Sequence, residues 1–469
     1  MREIIIKDGI CRNKEDLHFE AKEAKEKIPR DAWDTYSAFA NTDGGTIVFG
    51  LREEDGVLKV VGVSDAQGKI QNIWNLLNNK EFVSSNILSN NDLEILESEG
   101  YELIVMTVPR ANRFDRPVYI SGNPRNAFKR NGEGDYKCTP EEITSMIVDS
   151  SKEPADRFII KTSYVSDFCK ESVEGYRNYF KILRPESELN RYDDENFLRI
   201  IGAVAMDDGI LRPTFAGLLM FGTDPTISLE AYSYCLDYRR YTDSNVDWEQ
   251  RLVTGIGSWS GNVFDFYMKT CQMIKGTIKH NMTVDEGLVR RDDNEMDRVI
   301  REALLNALAN ADYRMPGGVT IERKPGSITI RNPGTFRIPL DIAEKGGFSD
   351  PRNPTILKML SLLGFGERAG SGIPRMNILC NEVGLPAPRF KENYRPDTVT
   401  VRIVIDDEPT DMNDEIIIDM MRNDPKISIT NIAEKRGVDR NIIARKIERM
   451  KVDGMIERVG GTRGYWKVK

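Results

Sequence analysis

A helix whose polar residues recur every fourth position on an otherwise apolar cylinder has to be packed on one side and face something polar on the other. Residues 301–313 have this form. Glu302, Asn306 and Asn310 fall at i, i+4 and i+8 and make one stripe, while Leu304, Leu305, Ala307, Leu308 and Ala311 cover the remaining face. A stripe that meets only water tends to use Lys, Arg and Glu. Amides are poorer helix formers and are favoured where a ligand or a metal needs oxygens, so these three residues are candidate ligand-binding groups.

Two glycine-rich segments follow at domain-scale spacing. Ile328-Thr-Ile-Arg-Asn-Pro-Gly334 reads as a strand entering a Pro-Gly turn, and Gly364-Phe-Gly-Glu-Arg-Ala-Gly-Ser-Gly-Ile-Pro374 reads as a loop feeding a helix. Together with the striped helix they resemble the GHKL ATPases, and within them the divergent branch fused to Schlafen-type AlbA_2 domains. That resemblance implies ATP and Mg²⁺ as cofactors. It implies Glu302 as the catalytic residue that orients and deprotonates the attacking water, and Asn306 as the metal ligand. It further implies nucleotide contacts from Asn310, Asn332 and Gly334, a phosphate nest at Gly370, Ser371 and Gly372, and Thr400 as the threonine that closes the adenine pocket. The adenine-reading position, Asp in most GHKL proteins, is Asn332 here, whose amide oxygen still accepts from the adenine amino group without a full negative charge. Asn310 stands where the branch has His.

Residues 1–150 open with Leu17-His-Phe-Glu-Ala-Lys22, whose alternation places Leu17, Phe19 and Ala21 inward and His18, Glu20 and Lys22 outward. A helix follows Pro29, and Thr42-Asp-Gly-Gly45 turns into the buried strand Thr46-Ile-Val-Phe-Gly50, an α/β unit. A further helix is expected from Thr139-Pro140. The matches Glu15-x-x-x-x-Glu20-x-Lys22, Ala38-Phe-Ala-Asn-Thr-Asp-Gly-Gly45 and Lys129-Arg130 resemble the Schlafen AlbA_2 domain. Several Schlafen proteins are nucleases with two Glu five residues apart and a later Asp; here Glu15, Glu20 and Lys22 are the candidates, with Glu53 nearest the third position. The other reading of the unit is DNA or RNA binding through Arg125, Lys129 and Arg130.

Residues 151–290 carry an aromatic-basic strand at 231–241 that suits a domain seam better than base stacking, and the resemblance makes them a connector packing on the ATPase-like domain of residues 291–408. After the acidic break 406–411, residues 412–469 hold 13 Lys+Arg and 9 Asp+Glu, a local net of +4 in a chain of net charge −8. Helices at 414–422, 428–436 and 439–452, then a ribbon with a Gly-rich tip, read as a winged helix-turn-helix. Arg440, Asn441, Arg445 and Lys446 on the third helix suit phosphates and base edges in the major groove of duplex DNA, and Arg463 at the wing tip suits the minor groove. A protein-binding role for such a module stays open.

An overall negative charge excludes a chain that is basic throughout, so nucleic-acid contact has to be local. The six cysteines form no C-x-x-C pair and only His18 and His280 accompany them, which fits free thiols in a reducing cytoplasm rather than zinc or disulfides. No apolar run approaches the ~18 residues that span a bilayer. The expectation is a cytoplasmic α/β (α+β multidomain) protein, an AlbA_2-like domain, a connector, a GHKL-like α/β sandwich and a winged helix, acting as a homodimeric, ATP-binding, DNA-binding transcriptional regulator. The alternatives are an ATP-gated Schlafen-like metal-dependent nuclease and a dimerising scaffold with a degenerate nucleotide pocket.

Overall fold

The computed structural model describes residues 3–241, 247–276, 295–366, 370–405, 414–436, 440–452, 455–460 and 464–468. In the N-terminal unit, strand β1 (Phe19–Lys22) runs parallel to β2 (Gly45–Phe49), with helix α1 (Asp31–Asn41) as the crossover. Strands β3 (Leu93–Ser98) and β4 (Tyr101–Val108) complete a sheet of order β1-β2-β4-β3. β2 is central and covered on both faces, which is why Ile47, Val48 and Phe49 form an unbroken apolar run. The end of α1 is tied down by Asn41, buried, whose amide donates to the carbonyls of Val118 and Phe128 and accepts from the Val118 N–H. That explains the Ala-Phe-Ala-Asn-Thr-Asp-Gly-Gly motif as architecture: Gly45 leaves no room for a Cβ against the Phe39 ring. A hairpin of β5 (Phe128–Asn131) and β6 (Gly134–Lys137) follows, then α2 (Pro140–Ser150), which starts in the capping box of Thr139 and Glu142 with Pro140 in its first turn.

The largest sheet has six strands, β7 (Leu236–Tyr241), β8 (Trp248–Val253), β9 (Val319–Lys324), β10 (Ser327–Pro333), β11 (Arg389–Tyr394) and β12 (Asp397–Val404), in the order β8-β7-β9-β10-β12-β11. Only the β7–β9 pairing is parallel. The aromatic-basic strand of the connector is therefore an inner strand of this sheet, with Tyr238 fully buried. The expected boundary at residue 290 lies outside the described residues. On either side of it the chain shares one core, reaching from Phe168 to Ile405, because two connector strands are hydrogen-bonded into the sheet.

Helix α3 (Glu295–Asn310) lies on one face of the sheet, burying Val299, Ile300, Leu304, Leu305 and Leu308 while Glu302, Asn306 and Asn310 remain half-buried. It is flanked by α4 (Pro354–Leu362) and α5 (Gly372–Glu382). The C-terminal unit consists of α6 (Asp414–Asn423), α7 (Ile429–Arg436), α8 (Arg440–Val452) and an antiparallel ribbon of β13 (Ile456–Val459) and β14 (Tyr465–Val468). It closes its own core around Ile432, Ile443, Ile447 and Trp466. Among the described residues no helix is long and apolar enough to cross a membrane.

Candidate functional site

The polar stripe of α3 opens onto a cleft of about 830 Å³, counted to its mouth, a size typical of small-ligand sites. Asn306 and Asn310 line it from the helix, Asn332 from the end of β10, and Gly370, Gly372 and Ile373 from the start of α5. Val399 and Val401 of β12, with Phe390 and Phe336, make an apolar wall, and the two Phe rings meet edge to face at 6.2 Å. Asn306 Nδ2 donates to Glu302 Oε1 at 3.3 Å, which leaves its Oδ1 uncommitted among the described residues. Asn310 Nδ2 donates to the Asn306 carbonyl at 2.9 Å. Asn332 is buried and its Nδ2 donates to the Pro333 carbonyl at 3.2 Å.

No side chain caps α5, so its first-turn N–H groups keep their donor capacity where the helix meets the cleft, and a helix start of this kind favours anions. Gly372 packs so closely on α3 that an added Cβ would lie 2.5 Å from Glu302 Oε1 and 2.9 Å from Asn306 Nδ2. Gly370 has φ +66° and its Cβ would meet the Phe348 carbonyl at 2.5 Å, so both small residues are required by geometry. Chemically, the cleft offers amide oxygens, one carboxylate and free N–H groups at one end and an apolar wall at the other.

Three residues expected here are placed elsewhere. Thr400 points to the opposite face of β12, because its neighbours Val399 and Val401 take the cleft side; it sits in register with Arg331 and Lys391. Gly334 is not in the cleft wall: its φ of +91° and bare α-carbon make room for the Arg352 guanidinium, 2.3 Å from where a Cβ would stand. Ser371 lies between two lining glycines without lining the cleft itself.

Sequence reasoning missed the residues that join the cleft to the N-terminal domain. Arg337 and Asp350 line the cleft, and each also reaches across the seam: Arg337 Nη2 donates to Asp149 Oδ1 at 2.7 Å, and Asp350 pairs with Arg113. Arg352 grips both Asp149 oxygens, from Nε at 2.9 Å and Nη2 at 2.5 Å. Burial alone would push the Asp149 carboxyl up, but Arg352 and Arg337 outweigh it and hold the carboxyl well below its usual range. Arg110 makes a two-pronged pair with Glu392 at 2.7 and 2.9 Å. None of these positions carries a helical or strand period that singles it out.

The basic pair Lys129 and Arg130 belongs to the same architecture and is not on a nucleic-acid-facing surface. Lys129 is 2% exposed, with its Nζ 2.6 and 2.5 Å from the two oxygens of Asp397; Arg130 is 1% exposed and pairs with Glu20 at 2.7 Å and Asp135 at 3.0 Å. A cation buried among protein carboxylates is not available to phosphate. Arg125 does remain exposed, in the turn Pro124–Asn126.

Glu20 also departs from the outward placement that alternation implied: it is 7% exposed, and its second oxygen is taken by Lys22 Nζ at 2.6 Å. With both oxygens ion-paired, Glu20 is a structural carboxylate rather than a ready metal ligand. Glu15 stays close, accepting from the Ala21 N–H at 3.0 Å; burial and the neighbouring Glu20 and Glu53 raise its pKa. Among the described residues no group of three or more His, Cys, Asp or Glu side chains is placed to hold a metal.

On α8, Arg440 is exposed, whereas Lys446 is only 8% exposed, since it shares a helix face with Ile443, Ile447 and Met450. The Asn441 and Arg445 side chains and Arg463 lie outside the described residues.

Comparison with known proteins places this geometry. Residues 15–139 match the family model described as Schlafen, AlbA_2, residues 317–403 the model described as "Putative ATP-dependent DNA helicase recG C-terminal", and residues 144–237 a domain of unknown function, DUF8451. Among solved structures, the DIP2311 protein from Corynebacterium diphtheriae is 18% identical over 99% of this chain and 94% of its own, with a TM-score of 0.43. The N-terminal domain of a putative ATP-dependent DNA helicase RecG-related protein from Nitrosomonas europaea is 25% identical over 26% of this chain and 82% of its own, with a TM-score of 0.21. The search of curated proteins gives no match. Over residues 15–139 and 317–403, the chain belongs to the Schlafen AlbA_2 and RecG C-terminal ATPase-like families.

Proposed function

We propose that this protein is an ATP-responsive, DNA-binding transcriptional regulator, a homodimer in the cytoplasm, in which nucleotide in the α3 cleft controls the nucleic-acid-facing ends. One observation carries the reading: the cleft that gathers Asn306, Asn310, Asn332, Gly370 and Gly372 is also lined by Arg337 and Asp350, which grip Asp149 and Arg113 across the seam. A ligand filling it pushes on the same side chains that fix the AlbA_2 domain.

In this reading the phosphates lie at the uncapped start of α5, the adenine lies against Val399 and Val401, and Asn332 accepts from its amino group. Asn306 and Glu302 supply oxygens of the kind a hard divalent ion takes, so they are the residues that would hold Mg²⁺ together with the phosphates. The metal's contribution there is to neutralise phosphate charge. Glu302 is placed to orient a water. Isothermal titration is expected to show Mg²⁺-dependent ATP binding, weakened about tenfold or more by Asn306→Ala, a loss of about 1.4 kcal/mol or more. Glu302→Ala is expected to retain binding and lose turnover. A wild-type protein that takes up no ATP at millimolar nucleotide rejects this reading.

The C-terminal helices and ribbon act as a winged helix-turn-helix with α8 in the major groove, and the exposed Arg440 meets phosphate at its start. Gel shifts of the full chain with duplex DNA are expected to weaken steeply with salt, and Arg440→Ala to lower the log–log salt slope by about one. A salt slope unchanged by the substitution removes Arg440 from the interface. Cleavage of nucleic acid ranks below binding, because Glu20 is committed to Lys22 and Arg130.

A further inference from the structure

At the seam between the N-terminal domain and the six-stranded sheet, the buried cations end on carboxylates: Arg110 on Glu392, Arg113 on Asp350, Lys129 on Asp397, Arg337 and Arg352 on Asp149. Arg116 does not. It is 7% exposed, its guanidinium makes no hydrogen bond or ion pair with any described residue, and its Nε is wholly buried without a partner. Burial, and then the nearby Arg110, push its pKa down to about 10, so it still carries its charge at neutral pH. A buried charge without a counter-charge is costly, and native proteins keep few polar groups in that state.

The Arg116 side chain forms part of the wall of two spaces. One is a small polar cavity inside the seam, with room for no more than a water. The other is an open cleft of about 980 Å³ on the outer side of the N-terminal domain, lined also by Asn78, Lys80, Ser85, Asn86 and Phe114. The one carboxylate in its lining, Asp115, already accepts from Ser85 Oγ at 2.9 Å. The cleft thus presents two cations against one engaged anion, with the more buried cation lacking any partner.

We propose that this cleft is an oxyanion site, in which a phosphate-type group sits on the Arg116 guanidinium with the exposed Lys80 ammonium at its rim. The planar fork of an arginine matches such oxygens two at a time, and the lysine adds a point charge. The group is either a small free phosphate or a phosphodiester of a single-stranded nucleic acid, and the two sources share the same contacts. The site is separate from the α3 cleft and does not depend on nucleotide binding there.

The test is thermal unfolding of the full chain with inorganic phosphate at constant ionic strength, chloride serving as control, beside fluorescence polarisation with a labelled single-stranded RNA. Phosphate is expected to raise the wild-type Tm by about 2 °C or more. Arg116→Met is expected to abolish that rise while leaving the phosphate-free Tm equal or higher, since the substitution removes the uncompensated charge. Lys80→Ala, at an exposed position, is expected to weaken the response several-fold and keeps the test intact if Arg116→Met fails to fold. RNA binding that falls in both variants and is competed by phosphate identifies the nucleic acid as the source; a phosphate response with RNA binding unaffected identifies a free oxyanion. A wild type indifferent to phosphate, or one whose response survives unchanged in both variants, overturns the site.

Discussion

Gly372→Ala is expected to abolish measurable nucleotide binding while leaving the fold in place. The new Cβ would arrive 2.5 Å from Glu302 Oε1 and 2.9 Å from Asn306 Nδ2. Both atoms are the far ends of flexible side chains, so the backbone has no need to move and the two side chains swing away. Those are the groups placed to hold the metal and the phosphates, so the whole cost falls on the site. Gly372 is the first residue of α5 and has no positive φ, and alanine there is the better helix former, by up to about 1 kcal/mol. Calorimetric titration should therefore lose ATP heat by more than tenfold, with a Tm within a few degrees of the wild type. Gly370→Ala is the informative contrast. Its φ of +66° and the Phe348 carbonyl 2.5 Å from the new Cβ put that clash on backbone, so the loop itself has to give. A Gly372→Ala protein that binds ATP as the wild type does would place the nucleotide elsewhere.

The sequence made the cleft legible because three of its parts obey a rule. Asn306 and Asn310 follow helical period, Asn332 stands at a strand end before Pro-Gly, and Gly370 and Gly372 are small residues before a helix start. Thr400 was misplaced by one residue on a strand where Thr and Val alternate. In that pattern the register of the partner strands decides which of the two faces a residue takes, and one position changes the face. Lys129, Arg130 and Lys446 were misread for a different reason. A basic residue looks solvent-exposed in sequence, and only tertiary contacts reveal that Asp397, Glu20 and Asp135, or the Ile443–Ile447 face of α8, surround it. The Asp149, Arg337 and Arg352 constellation was not legible at all. Its members lie up to 203 residues apart in the chain and meet only where two separately folded surfaces are pressed together.

Asp149→Asn is expected to be among the most destabilising single changes in the chain, at about 3–5 kcal/mol in urea unfolding, because it strips the counter-charge from a buried arginine. Arg352 is 5% exposed and both of its ion-pairing contacts go to Asp149, so the neutral amide leaves a guanidinium in the seam with carbonyl acceptors only. Arg337 suffers less, since Asp350 Oδ1 remains 3.7 Å away. The double variant Asp149→Asn with Arg352→Gln should recover part of the loss, a coupling that identifies the pair rather than the volume change as the cause. The pH dependence follows from the direction of the shift. With its folded pKa depressed below the unfolded value of about 3.9, Asp149 contributes stability that is fully present above that value and is lost as pH falls through the lower, folded pKa. The wild-type advantage over Asp149→Asn should accordingly be flat from neutral pH down to about pH 5 and shrink only below about pH 4. Since Arg337 also lines the nucleotide cleft, the variant should keep ATP binding in any fraction that remains folded but lose the effect of ATP on DNA binding. An Asp149→Asn protein as stable as the wild type, or one in which ATP still modulates DNA affinity to the full wild-type extent, would show that the seam is closed, and the signal carried, by other contacts.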